Sequence, residues 1–142
     1  MRFMMLVKAS RESEAGALPS KELLAAMGQF NEEMVKAGVL IAGDGLQPSS
    51  KGTRVTFSGA KRTFTDGPFA ETKELLAGFW MIDVKSKEDA LAWASRVPFT
   101  DGEVIEVRQV FEAEDFPAEV FPPEEVAREE RLRDELQRRA KR

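Results

Sequence analysis

A chain of 142 residues, 42% hydrophobic and 32% charged, has the size and composition of one soluble globular domain that can bury a real core. Its 21 basic against 25 acidic residues leave a net charge of -4, which excludes the basic footprint of a nucleic-acid binder, and no apolar run approaches the ~18 residues of a membrane span. The absence of both cysteine and histidine excludes disulfides, thiolate nucleophiles, the usual zinc sites and imidazole mechanisms, so no metal or other cofactor is expected and any catalysis falls to Asp, Glu, Lys, Arg, Ser or Thr.

The amino-terminal apolar run is too short for a signal peptide, and a cytoplasmic protein is expected. Phe3 to Val7 is apolar at every position and predicts a strand buried on both faces. Leu23, Met27, Phe30, Met34 and Ala37 recur at helical spacing, opened by Pro19 and Ser20 and closed by Gly38, which predicts a core-facing helix. Val39 to Ala42 reads as a short strand, after which Gly43, Gly45 and Pro48 break the chain into a loop. Thr53 to Phe57 and Arg62 to Thr65 read as the arms of a hairpin around Ser58, Gly59 and Ala60.

Gly78 to Val84 is a second strand apolar on both sides, with Phe79 and Met81 on one face and Trp80 and Ile82 on the other. Ser86, with Asp89 three residues on, predicts a capping box for a helix whose buried stripe is Ala90, Leu91, Ala94 and Val97 and which Pro98 ends. Val104 to Phe111 is the last strand, Ile105 and Val107 facing one way, Glu106 and Arg108 the other.

The order strand, helix, strand, hairpin, strand, helix, strand predicts an α+β fold, a ferredoxin-like split βαβ sandwich with an inserted hairpin. Two helices cover one face of such a sheet. Phe3, Met5, Val7, Phe79 and Met81, or their alternates, then need cover on the opposite face, and a second sheet from an identical protomer supplies it, so a homodimer packed sheet on sheet is expected. Residues 1–111 form this domain and 112–142 an extension whose last part, from Pro122, is a charged helix with only Val126, Leu132 and Leu136 as sizeable apolar groups. Its acidic start and basic end match the helix dipole, and Glu124 with Arg128, Glu129 with Arg133, Asp134 with Arg138 and Glu135 with Arg139 are favourable pairs of ~0.2–0.5 kcal/mol each. Such a helix needs a surface to rest on, which leaves room for a higher oligomer. The Arg-rich end, Arg138 to Arg142, suits an acidic partner or a solvated helix end equally.

Several groups could carry chemistry, each with a structural alternative. Asp66, Gly67 and Pro68 are turn residues anchored by Phe69, and the functional reading aims the Asp66 carboxylate into a cleft. Glu71, Lys73 and Glu74 offer acid and base groups but suit a solvated loop. Glu106 and Arg108 share one face of the last strand, where Arg108 could clamp a small carboxylate and Glu106 act as a base, or the two could form a structural ion pair. Gly43, Asp44 and Gly45 match no phosphate-loop spacing and read as a bend. Trp80 and Trp93 are core or interface aromatics, Trp80 being a further candidate to line a site.

The stretch FTDGPFAETKELLAGFWMIDV, preceded by VLIAGDGLQP and followed by EDALAWASRVPF and VIEVRQV, resembles the DGPF-domain branch of the YCII-related superfamily over about Met1 to Phe111. That resemblance implies a dimeric α+β barrel, in which ferredoxin-like protomers pair their sheets around a central cavity, and a link to extracytoplasmic-function sigma factors. Better-studied relatives imply an enzyme with a His and Asp pair. Here the stretch around Ala26 has no His, Val97, Pro98 and Phe99 stand where an Asp-Pro-aromatic element is expected, and Gln109 follows Arg108 in place of proline. The dyad is missing, so the family's catalytic label does not carry over, while Asp66, Gly67, Pro68 and Phe69 carry over as its signature with no role assigned.

These observations lead to a homodimer whose inter-sheet cavity binds a small molecule or whose surface binds a partner, with Asp66, Phe69, Trp80, Glu106 and Arg108 as candidate binding residues. The competing reading is a cofactor-free lyase or isomerase with Asp66 or Glu106 as base and Arg108 holding an anionic substrate. A third makes the terminal helix the means of building larger assemblies.

Overall fold

The computed structural model describes residues 1–141; of the Arg-rich end, Arg142 lies outside the described residues. The elements are β1 (Arg2–Lys8), α1 (Arg11–Glu14), α2 (Lys21–Lys36), β2 (Leu40–Gly45), β3 (Thr53–Ser58), β4 (Lys61–Asp66), β5 (Leu76–Asp83), α3 (Lys87–Ser95), β6 (Ile105–Gln109) and α4 (Pro123–Ala140). They divide into two compact units, Met1–Val110 and a second that begins at Phe111. No described helix is long and apolar enough to cross a membrane.

In the first unit β1, β2, β5 and β6 form an antiparallel sheet in the order β2-β5-β1-β6, while β3 and β4 form a separate two-stranded sheet. This is the split βαβ order of a ferredoxin-like α+β fold, with the hairpin inserted between its second and third strands. Helix α2 begins where the Ser20 hydroxyl accepts from the Leu23 N–H at 3.0 Å and ends before Gly38, whose φ of 73° suits glycine. Removing that cap by Ser20→Ala is expected to cost about 1 kcal/mol, read as a lower urea midpoint at unchanged slope. Ser86 caps α3 in the same way, accepting from the Asp89 N–H at 3.1 Å.

Helices α2 and α3 both lie on one side of the sheet. There Phe30 and Met34 of α2 and Ala90 of α3 close over Phe3, Met5, Trp80, Ile82, Val84 and Val97. Phe30 meets Trp80 edge-on, ring centroids 5.6 Å apart, and Trp93 at 6.2 Å. The Trp80 indole N–H donates to Asn31 Oδ1 at 2.7 Å, so its one polar group is satisfied at the core boundary.

Register decides which residues line the other side. Phe3 and Met5 stand opposite Ile82 and Trp80 beneath the helices, whereas Met4 and Leu6 stand opposite Met81 and Phe79 on the far face. The residues left without cover from α2 and α3 are therefore Met4 and Leu6 of β1, the alternates of Phe3 and Met5.

Sequence and structure part at β2, which does not break at Gly43 but runs through Asp44 to Gly45, paired with β5. The glycine is there for close approach, since a Cβ on Gly43 would lie 2.7 Å from Trp80 Cδ1. The last strand is shorter than Val104 to Phe111 and spans Ile105–Gln109. Helix α1 is an element that the periodicity did not indicate: four residues are too few for a stripe, and the Ser10/Ser13 capping box holds it.

In the second unit Phe111, Phe116 and Phe121 form a chain of rings, with centroids 4.9 Å and 5.7 Å apart, ahead of α4. Pro123 occupies the first turn of α4, where its missing N–H costs nothing. Along the helix Arg133 pairs with Glu129 and Arg139 with Glu135 as their spacing predicts. Arg128 turns to Glu125 and Arg138 to Glu135, one residue away from the expected Glu124 and Asp134, because spacings of three and four are both within reach on a helix.

Candidate functional site

The far face of the sheet is built by alternation. Along each strand every second side chain points away from α2 and α3, and pairing brings Met4, Leu6, Phe79 and Met81 together as a partly buried apolar patch. In β6, Glu106 lies opposite Leu6 and Arg108 opposite Met4, so both border this patch on the same face. In β2, Ala42 and Asp44 stand opposite Met81 and Phe79 on its other flank.

The charged border is joined into a chain. Glu106 receives Lys8 Nζ at 3.3 Å on one carboxylate oxygen and Arg108 Nε at 3.4 Å on the other. Lys8 is well shielded, its side chain 21% exposed, whereas Arg108 is 70% exposed and presents the rest of its donor fork to solvent. Exposed ion pairs contribute roughly 0–1 kcal/mol, so the Arg108 pair adds little stability. The border offers two cations and one carboxylate beside an apolar floor, a chemistry suited to a small anion with an apolar body.

Asp66 is placed elsewhere. It ends β4 in the inserted hairpin, exposed, where Oδ1 accepts from the Thr53 hydroxyl at 2.8 Å across the ladder. The Gly67–Pro68 bond is cis, and the Gly67 N–H donates to the Gly52 carbonyl at 2.9 Å. The Phe69 N–H donates to Ser49 Oγ at 3.1 Å, and its ring lies 3.7 Å beneath the Arg54 guanidinium, which also pairs with Glu71 at 3.5 Å. Lys73 and Glu74 are exposed in the short turn that follows.

Trp80 belongs to the helix side and Glu106 and Arg108 to the far side, so the sheet itself separates them. The sequence-predicted residues thus fall into three places: the far face, the hairpin corner and the core.

Two residues that sequence reasoning passed over secure the corner. Glu14 accepts from the Ser49 N–H at 2.9 Å and from the Ser49 hydroxyl, so Ser49 is held by α1 while it holds Phe69. Lys8 was also missed as a site residue. The alternation Lys8, Leu6, Met4 along β1 was the available signal, once the far face was known to be the even-numbered one. In the second unit a shallow concavity of about 550 Å³ runs along α4 between Arg131, Asp134, Gln137, Arg138 and Lys141, a helix surface rather than an enclosed site.

Comparison with known proteins agrees with this architecture. The profile of the YCII-related domain matches residues 1–114. An uncharacterized protein of Rhizobium meliloti (strain 1021) is 37% identical over 68 residues, 48% of this chain and 55% of that protein. The match thus spans about half the length of the curated relative.

Proposed function

The chain belongs to the YCII-related domain family, and from that premise we propose that it is a cytoplasmic homodimer that holds a small anionic molecule between the far faces of two sheets. The observation that carries this reading is the apolar patch of Met4, Leu6, Phe79 and Met81, bordered by Lys8, Glu106 and Arg108 and left uncovered by α2 and α3. A twofold pairing of such faces buries the patch and brings two sets of cations to one cavity. Asp66 to Phe69 supports membership of the DGPF branch, and a role beside a sigma factor rests on that resemblance alone.

Catalysis as a cofactor-free lyase or isomerase is the weaker reading. Both oxygens of Glu106 are engaged by cations, and Asp66 is tied to Thr53 on a different sheet. Measured turnover surviving alanine at Asp66, Glu106 and Arg108 would remove it entirely.

Light scattering is expected to return at least twice the chain mass. Met81→Arg should lower that mass, because it places an unpaired charge in the dry centre of the interface. A wild-type chain that stays single at all concentrations sinks the dimer. For the ligand, thermal unfolding against small carboxylates and phosphates is expected to give hits that Arg108→Ala loses. At ~100 times its dissociation constant a ligand stabilises by ~2.7 kcal/mol, a shift of several degrees. Hits that Arg108→Ala and Lys8→Ala leave unchanged would put the ligand elsewhere.

A further inference from the structure

Helix α4 carries a second contact surface. Glu125, Leu132 and Arg139 repeat every seven residues, and so do Glu129 and Leu136, so the five interleave as one seam along the helix. Leu132 and Leu136 sit at the middle of that seam, 59% and 67% exposed, two large apolar side chains a turn apart in contact with water. We propose that this seam pairs with α4 of a second copy of the chain, antiparallel, with the twofold axis at the level of Asp134.

The charges choose both the partner and the direction. Acidic groups gather in the first half of α4 and basic ones in the second, so the helix is complementary to itself when reversed. A parallel pair would set Glu129 against Glu129 and Arg139 against Arg139. The antiparallel pair centred on Asp134 sets Leu132 against the partner's Leu136 and Glu129 against the partner's Arg139, on both sides of the axis. Within each chain Glu129 already receives Arg133, and Arg139 Nε donates to Glu135 at 3.0 Å. A carboxylate accepts several donors and a guanidinium carries five, so these contacts add to the pairing rather than compete with it. A membrane surface is the poorer occupant, since two leucines between charges of both signs present little to bury in lipid.

This contact is separate from the pairing of sheet faces, and the two together would build an assembly larger than a dimer. The chain has no cysteine, so engineered thiols report cleanly. Full-length Glu129→Cys and Arg139→Cys chains, one carrying a mass tag, are mixed and oxidised. The mixed disulfide is expected to exceed either homodisulfide severalfold. A predominant Glu129→Cys homodisulfide would mean a parallel pair, and statistical proportions or no disulfide would mean no pairing; each result overturns the proposal. In a cysteine-free chain Arg139→Glu should weaken self-association in sedimentation, and adding Glu129→Arg should restore it, which simple damage to the helix would not allow. The mixed disulfide should persist when Met81→Arg is present in both chains, so failure of the sheet-face dimer and failure of this contact are read apart.

Discussion

Phe30→Ala is expected to destabilise the first unit by about 3–5 kcal/mol, lowering the melting temperature by roughly 10–20 °C. Phe30 is 4% exposed and its ring stands edge-on to both Trp80 and Trp93, so truncation loses two aromatic contacts as well as the burial of a large apolar group. The void would open between α2 and β5, whose backbones are held by their own hydrogen-bond ladders and can close it only in part. Urea unfolding checks the size. A loss below about 1.5 kcal/mol would place Phe30 outside the centre of the core. Far-face ligand binding should survive at temperatures where the variant is folded, because Phe30 acts on the opposite side of the sheet.

That division between two faces was partly legible from the residues. Apolar runs at Phe3 to Val7 and Gly78 to Val84 announced strands apolar on both sides, and alternation in β6 put Glu106 and Arg108 on one face. Hydrophobicity could not tell which half of each run faces the helices, because Met4 and Leu6 are as apolar as Phe3 and Met5. Cross-strand register settles it, and register is a tertiary property.

Gly43 misled for a related reason. Its local preference is to end a strand, whereas the contact with Trp80 that requires it lies in another strand. The corner was the least legible part, since Glu14 is far from Asp66 in sequence and its bond to Ser49 follows no periodicity.

Gly67→Ala is expected to cost at least about 3 kcal/mol, more than any other change in the Asp66 to Phe69 corner. A Cβ at Gly67 would stand 1.8 Å from the Ser49 carbonyl oxygen, a backbone atom that cannot swing aside. Ser49 is fixed by three hydrogen bonds: its N–H and hydroxyl donate to Glu14, and its hydroxyl oxygen accepts from the Phe69 N–H. The chain must therefore withdraw the hairpin or break the clamp.

Amide exchange distinguishes the corner from the sheet. Protection in β3 and β4 should fall by orders of magnitude while β1 and β5 stay protected. Gly59→Ala provides the contrast: nothing lies within 4 Å of its Cβ, so only its φ of 59° is penalised, at about 1–2 kcal/mol. If Gly67→Ala were no worse than Gly59→Ala, the clamp would carry little weight and the Asp66 carboxylate would need another explanation. With the expected order, the residues that mark this sequence most clearly work as a joint between hairpin and sheet, and the proposed ligand is to be sought at Arg108 and Lys8.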